Sequence, residues 1–189
     1  MLEYASFMAE QILRNLYRIE IPLSGSPLKA LNSYLIKGEG RFLLIDTGWN
    51  RAECMRKMLS ELERLDVDLR KTDFLITHMH VDHSGLAASL ATDVSVVYFN
   101  PTEASMINRE SSREERDQRL SEIYISNGFP ENELKQSVES HPGRRYGLRH
   151  HLDFRLLKEG DTIQIGDYCF RSIKGTEYRH DYPGTKLIG

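Results

Sequence analysis

The chain has 189 residues and a formal net charge of −3, and it contains no apolar run long enough to span a membrane. This length suits one domain with a substantial core, and the mild acidity argues against a general attraction to nucleic acids or anionic membranes. The first 16 residues lack the long apolar core of a secretory signal. Cys54 and Cys169 match no metal-binding pair of cysteines, so we expect free thiols and a cytoplasmic location.

The N-terminal part of the chain predicts a run of β-strands. Alternating residues indicate strands at 16–23, 31–37 and 41–46, joined by short turns as in a β-meander. A helix should follow, with Asn50 as its N-cap and Glu53 three residues later in a capping-box pattern. Its apolar face, which should pack on the sheet, is formed by Met55, Met58, Leu59, Leu62 and Leu65.

The most informative stretch is residues 77–85, Thr-His-Met-His-Val-Asp-His-Ser-Gly. The apolar residues 74–76 before it predict a buried strand, and a helix should start at Gly85. The polar stretch therefore lies at the carboxyl end of a strand, where open α/β sheets usually place their sites.

The spacing of these polar residues has a chemical meaning. His78 and His80 are two residues apart, so in extended backbone their rings point to the same side and can share one metal ion. Asp82 and His83 lie in the following turn and can face a second ion. Imidazole and carboxylate donors without thiolate suit zinc, and manganese or iron would also fit. Surface histidines in a polar loop are the alternative, which three histidines within six residues disfavour.

A strand is predicted at 94–99, and Asn100 then caps the first helix of a helical insertion over about 101–140. A lid over the site, a structural layer and a dimer surface are all consistent with this insertion, and we prefer the lid. Residues 141–151 hold three histidines and three arginines. They could meet an anionic substrate group or form an ordinary solvated loop.

The motif His78-x-His80-x-Asp82-His83 resembles the signature of the metallo-β-lactamase fold superfamily. Other stretches resemble elements of that family in the same order: residues 31–36, 42–48, 158–163 and 165–167. The similarity extends from about residue 16 to residue 173. The resemblance implies an α/β fold of the αβ/βα sandwich type, with residues 1–189 as one incomplete domain. The second half is largely absent, since the family's bridging Asp and final His have no counterpart here.

The resemblance also implies a two-zinc site. His78 and His80 would bind one ion, and Asp82 and His83 the other, with Asp82 as the catalytic residue that orients the attacking hydroxide. Among the remaining histidines only His180 is a candidate for a third ligand. Asp46, at the end of a strand, would lie behind the ligands and orient a metal-bound histidine.

The function implied is hydrolysis of an ester, thioester, lactone or amide bond in a small molecule. A His after Asp82 is more similar to the thioesterase and lactonase branches than to the antibiotic-resistance enzymes. A phosphodiesterase or RNA-processing nuclease of the same fold is an alternative, which the charge of −3 disfavours. An inactive metal-binding fragment is another.

An incomplete sandwich should leave one face of its sheet uncovered. Without cover, water would contact the strand residues Leu43, Ile45, Leu75 and Val97. We expect that cover from a second copy in a homo-oligomer, from the helices of residues 101–140 folded over the face, or from a continuation of the chain.

Overall fold

The computed structural model describes residues 8–107, 118, 121–148, 151–176 and 183–188. These residues form a seven-stranded sheet whose strands lie in the same order as in the sequence. The first four strands pair antiparallel and the last four pair parallel. They are β1 (Glu10–Leu13), β2 (Leu16–Pro22), β3 (Ala30–Lys37), β4 (Phe42–Ile45), β5 (Thr72–Leu75), β6 (Val97–Phe99) and β7 (Phe154–Leu156).

One face of this sheet is covered by helix α1 (Ala52–Arg64). Cys54, Met58 and Leu62 recur every four residues and are buried, as expected for a helix that packs along one stripe. They join a core cluster with Leu44 of β4 and Phe74 of β5. Two strand neighbours thus send alternate residues to the helical side, because side chains alternate across a strand.

The other face is covered by a second, three-stranded antiparallel sheet. A separate core cluster joins Leu43 and Leu75 of the large sheet to Ile163 and Ile165 of the small one. The expectation of an uncovered face is therefore wrong for Leu43 and Leu75, of which 1% and 0% are exposed. The strands of the small sheet are β8 (Thr162–Ile165), β9 (Tyr168–Thr176) and β10 (Pro183–Ile188).

The other two strand residues expected at the uncovered face, Val97 and Ile45, are also covered. Val97 is 3% exposed, but it packs in the cluster on the helical face, so its grouping with Leu43 was also wrong. Ile45 is partly buried against the small sheet. The β8–β9 hairpin, which lies near the end of the stretch of sequence similarity, covers this face. It takes the place of the three kinds of cover expected from the sequence.

The predicted N-terminal cap of α1 and one residue of its predicted apolar face are wrong. The N-cap is Arg51, whose backbone is extended with φ −129°, and not Asn50. Glu53 accepts a hydrogen bond from Oγ of Ser24 at 2.6 Å, in place of the predicted capping box. Leu59, assigned to the apolar face, is exposed.

The remaining α-helices are short and lie in the site loop and in the helical insertion, which extends past the predicted residue 140 to the segment 142–147 before β7. They are α2 (Val81–Ser84), α3 (Ala87–Leu90), α4 (Pro101–Ile107), α5 (Glu131–Ser140) and α6 (Pro142–Tyr146), with a further helical stretch at 121–126. The predicted cap of α4 is confirmed, since Oδ1 of Asn100 accepts a hydrogen bond from the Thr102 amide at 2.8 Å. The helix predicted from Gly85 is α3, which starts at Ala87, and α2 before it was not predicted. The strand predicted from Val94 begins at Val97.

Candidate metal centre

Two neighbouring parallel strands place the candidate residues at one edge of the large sheet. β4 and β5 pair in register, with Ile45 opposite Leu75. Asp46 directly follows β4, and residues 77–83 follow β5. Because the carboxyl ends of parallel strands meet at the same edge, the two loops are brought together there.

Asp46 is the buried centre of the hydrogen bonds at this edge. Its side chain accepts from the backbone amide of Thr77 at 2.9 Å and from the Thr77 hydroxyl at 2.7 Å. It also lies 2.7 Å from Nδ1 of His83. The residue is 5% exposed, and a buried carboxylate is tolerated when donors of this kind surround it. Its φ of 57° is left-handed, a conformation that Asp adopts more readily than most residues.

These bonds determine which nitrogens of His78 and His83 carry a proton. The carboxylate of Asp46 only accepts, so Nδ1 of His83 donates to it, and in the neutral ring the lone pair is then on Nε2. The hydroxyl proton of Thr77 goes to Asp46, so its oxygen, 3.1 Å from Nδ1 of His78, accepts from that nitrogen. Nε2 of His78 therefore also keeps its lone pair, the form in which imidazole binds a metal.

His78 and His80 come together as the sequence spacing predicts. Nε2 of His78 lies 3.1 Å from Nδ1 of His80. Two nitrogens bound to one zinc at about 2.0–2.1 Å in tetrahedral geometry are about 3.3–3.4 Å apart. The pair is therefore close to the separation that a shared ion requires.

Asp82 and His83 form a second pair on α2. Nε2 of His83 lies 3.5 Å from Oδ2 of Asp82, and the rings of His78 and His83 are in contact, with centroids 3.9 Å apart. The four predicted ligands thus occupy one cluster of side chains, with Asp46 behind it.

The electrostatics of the cluster favour a neutral His78. Burial above all, together with the neighbouring His83 and His80, lowers the pKa of His78 from 6.5 to about 4, against an opposing effect of Asp46. At neutral pH this ring is therefore unprotonated, as metal binding requires.

The comparisons with known proteins identify the family. The sequence model of the metallo-β-lactamase superfamily matches residues 28–161. The chain belongs to the metallo-β-lactamase superfamily. Among curated proteins, "Lactamase-like protein adaB" of Aspergillus niger is 32% identical over 107 residues, which are 54% of this chain and 30% of that protein.

Solved structures of the metallo-β-lactamase superfamily share the fold. The metallo-beta-lactamase family protein TTHA1429 from Thermus thermophilus matches with a TM-score of 0.72 and 21% identity, over 94% of this chain and 57% of its own. A beta-lactamase domain protein from Burkholderia ambifaria matches with a TM-score of 0.70 and 18% identity, over 95% of this chain and 52% of its own. The predicted fold is thus confirmed, and the chain spans about half the length of these structures.

The candidate ligands are imidazole and carboxylate groups that approach one another as two pairs. Within the described ranges, no group of three or more His, Cys, Asp or Glu side chains is arranged to hold one ion together. His180, the predicted third ligand, lies outside the described residues, as does His150 of the basic cluster. The ligand roles of His78, His80, Asp82 and His83 stay predictions, as does the supporting role of Asp46. No helix in the described part of the chain has the length and apolar character needed to cross a membrane.

Sequence reasoning missed two aromatic residues beside this centre. Trp49, the single tryptophan of the chain, stacks on Tyr146 with ring centroids 4.8 Å apart and an interplanar angle of 21°. Trp49 directly follows the Asp-Thr-Gly turn, which could have drawn attention to it. Tyr146 carried no comparable signal, because it is 97 positions further along the chain.

Proposed function

We propose that this chain carries the metal-binding half of a metallo-hydrolase that cleaves an ester, thioester, lactone or amide bond of a small molecule. The observation that supports it is the approach of Nε2 of His78 to Nδ1 of His80, 3.1 Å apart, beside the Asp82–His83 pair. Zinc is the ion we propose, since the donors are imidazole and carboxylate. Manganese or iron would be bound by the same donors.

The chain's own residues would prepare the site for that ion. Asp46 holds the proton of His83 on Nδ1 and so directs Nε2 toward the ion. Thr77 connects the same carboxylate to Nδ1 of His78 and fixes that ring in the corresponding tautomer. Asp82 contributes an anionic oxygen beside Nε2 of His83. When bound, a divalent metal supplies a nucleophile at neutral pH and polarises the carbonyl oxygen under attack.

Metal analysis and a substrate panel test the proposal on the full 189-residue chain. The purified chain is dialysed against zinc and then against buffer, and its retained metal is measured by mass spectrometry. The His78→Asn/His80→Asn double variant should lose the metal. His151→Asn, which changes an exposed histidine, is the matched control and should retain it. Equal metal content in the parent and the double variant would overturn the site.

The panel then distinguishes the three functions. It contains an aryl ester, an acyl thioester, a lactone and bis(p-nitrophenyl) phosphate. Zinc-dependent hydrolysis of a carbonyl substrate supports the proposal. Faster cleavage of the phosphodiester would favour the phosphodiesterase or nuclease, and metal retention without any turnover would favour the metal-binding fragment.

A further inference from the structure

The end of the helical insertion lies against the helix that carries two of the candidate ligands. Helix α2 bears Asp82 and His83, and α6 packs on it. Cγ1 of Val81, the first residue of α2, faces Gly143 and Gly147 of the insertion, at 3.9 and 3.6 Å from where their side chains would start. These are ordinary van der Waals distances, so α6 and α2 are in direct contact at this end.

The opposite end of α2 is more tightly packed. A Cβ atom on Gly85 would lie 2.6 Å from the carbonyl oxygen of Tyr146 and 2.8 Å from that of Gly48. The carbonyl of Tyr146 also accepts a hydrogen bond from the amide of Asn50 at 3.0 Å. Both ends of α2 are therefore in close contact with the segment 142–147.

The loop after β4 holds α2 from its other side. The amide and hydroxyl of Thr47 both donate to the carbonyl of His83, at 2.8 and 2.9 Å. The amide of Leu86 donates to the carbonyl of Gly48 at 3.1 Å. α2 thus lies between residues 46–50 and residues 142–147.

The aromatic stack joins these two segments to each other. Trp49 belongs to one and Tyr146 to the other, and the guanidinium of Arg51 lies 5.2 Å from the Tyr146 ring centroid. Arg51 is itself fixed by a hydrogen bond to the carbonyl of Ser24 at 2.7 Å. Stacking of aromatic rings with a cation adds attraction beyond simple burial.

We infer that Tyr146 is a positioning residue: by stacking on Trp49 it holds the insertion against α2 and keeps His83 in the orientation in which it meets Asp46. This inference rests on the proposed function for its consequence in metal binding. It does not require substrate contact by Tyr146. His78 and His80 precede α2, so their pair should depend less on this stack.

The test compares Tyr146→Ala with Tyr146→Phe, which keeps the ring, in the full metal-free chain. Tyr124→Ala is the matched control, because Tyr124 is an exposed tyrosine of the same insertion. Amide hydrogen exchange is measured at Ser84, Gly85 and Leu86 and, as a reference, in β5. A nitrogen-15 spectrum follows the Nδ1–H group of His83.

In Tyr146→Ala, exchange at the three α2-end amides should rise about tenfold, the effect of losing one aromatic pair of ordinary strength. The His83 Nδ1–H signal should weaken while β5 exchanges as in the parent. Phe should restore both properties, and Tyr124→Ala should change neither. Unchanged exchange at these amides, or an equal rise throughout the sheet, would overturn the inference.

A zinc titration of the same variants separates this inference from the proposed function. If the parent binds zinc, Tyr146→Ala should bind it about tenfold more weakly and Tyr146→Phe should recover the affinity. Equal affinities in all three would overturn the positioning role. A parent that binds no zinc would contradict the proposed metal centre. The hydrogen-exchange and His83 Nδ1–H measurements would then still test the positioning role of Tyr146.

Discussion

The Asp46 carboxylate accepts a hydrogen bond from Nδ1 of His83 across 2.7 Å, linking the turn after β4 to the helix after β5. The same carboxylate also accepts a hydrogen bond from the Thr77 hydroxyl, which extends the link to His78. One buried anion thereby orients two imidazoles of the proposed metal centre. The left-handed backbone of Asp46 (φ 57°) is in keeping with the strain that functional sites often contain.

Asp46→Asn tests this arrangement with little change of shape. Asn also tolerates a left-handed backbone, but its amide nitrogen donates, so it cannot accept from all the donors around it. Zinc affinity should fall by about 10–100-fold, the usual effect of losing a group that orients a ligand. Competition with a chelator of known affinity measures it. The control is Asp161→Asn, in the small-sheet region, which replaces a carboxylate that accepts a hydrogen bond from the Lys158 amide. This variant should bind zinc as the parent does. Equal zinc affinity in the two variants would contradict the role of Asp46.

Gly85→Ala tests how closely the segments around α2 are packed. The added methyl group would meet three backbone carbonyl oxygens within 2.8 Å, and backbone cannot move aside as a flexible side chain can. We expect a loss of about 1–3 kcal/mol in the free energy of unfolding, the usual effect of overpacking, measured by urea denaturation. Gly40→Ala has open space but a φ of 79°, so it isolates backbone strain of about 1 kcal/mol. A Gly85 variant no less stable than the Gly40 variant would show that the packing is looser than the distances indicate.

The low pKa of His78 predicts how the stability of the metal-free chain depends on pH. The pKa is about 4 in the folded protein and 6.5 ordinarily, so between these values the unfolded state binds more protons. Stability is therefore fully present above pH 6.5 and is lost as the pH falls toward 4. A shift of this size corresponds to about 3 kcal/mol, and partial exposure of the ring reduces it to about 1–2 kcal/mol.

Urea denaturation at several pH values, with a chelator present, measures this dependence. The difference in stability between the parent and His78→Gln should change across this window by the amount given above. His151→Gln, on an exposed ring, is the control and should follow the parent curve. A constant difference between the parent and His78→Gln would contradict the lowered pKa.

The sequence predicted the location of the site because the signal was local. Residues 74–83 contain both the buried strand and the polar cluster, and the Asp46 turn follows a strand of similar character. Placing both at one edge needed only the rule that parallel strands end together. The His78 and His80 rings meet as predicted, although residues 77–79 form a bend and not the predicted extended backbone.

The parts that could not be predicted depend on contacts between distant residues. Asn50 is a residue type that commonly caps helices, but its backbone amide donates to the carbonyl of Tyr146, and Arg51 occupies the cap position. The short helix α2 was not predicted, because its four residues are too few for a helical pattern of apolar residues. The face on which Val97 lies depends on strand pairing, which a three-residue strand does not reveal.

The covered sheet face gives the last prediction. Leu75 of β5 and Ile163 of β8 belong to the same buried cluster, so the small sheet should contribute directly to stability. Leu75→Ala should lower the free energy of unfolding by about 2–5 kcal/mol. The exposed Leu156 provides the control, and Leu156→Ala should change it by no more than about 0.5 kcal/mol.

The double variant Leu75→Ala/Ile163→Ala tests whether the two sheets are coupled. If they pack as described, the two losses should differ from additivity by about 0.5–3 kcal/mol. Strict additivity, or a Leu75→Ala variant as stable as the parent, would mean that the small sheet does not cover β5 in solution. Sedimentation of the parent then shows whether a second copy covers this face of β5. A dimer that dissociates in the Leu75→Ala variant would support such a copy, because an interface at this face would respond to that residue.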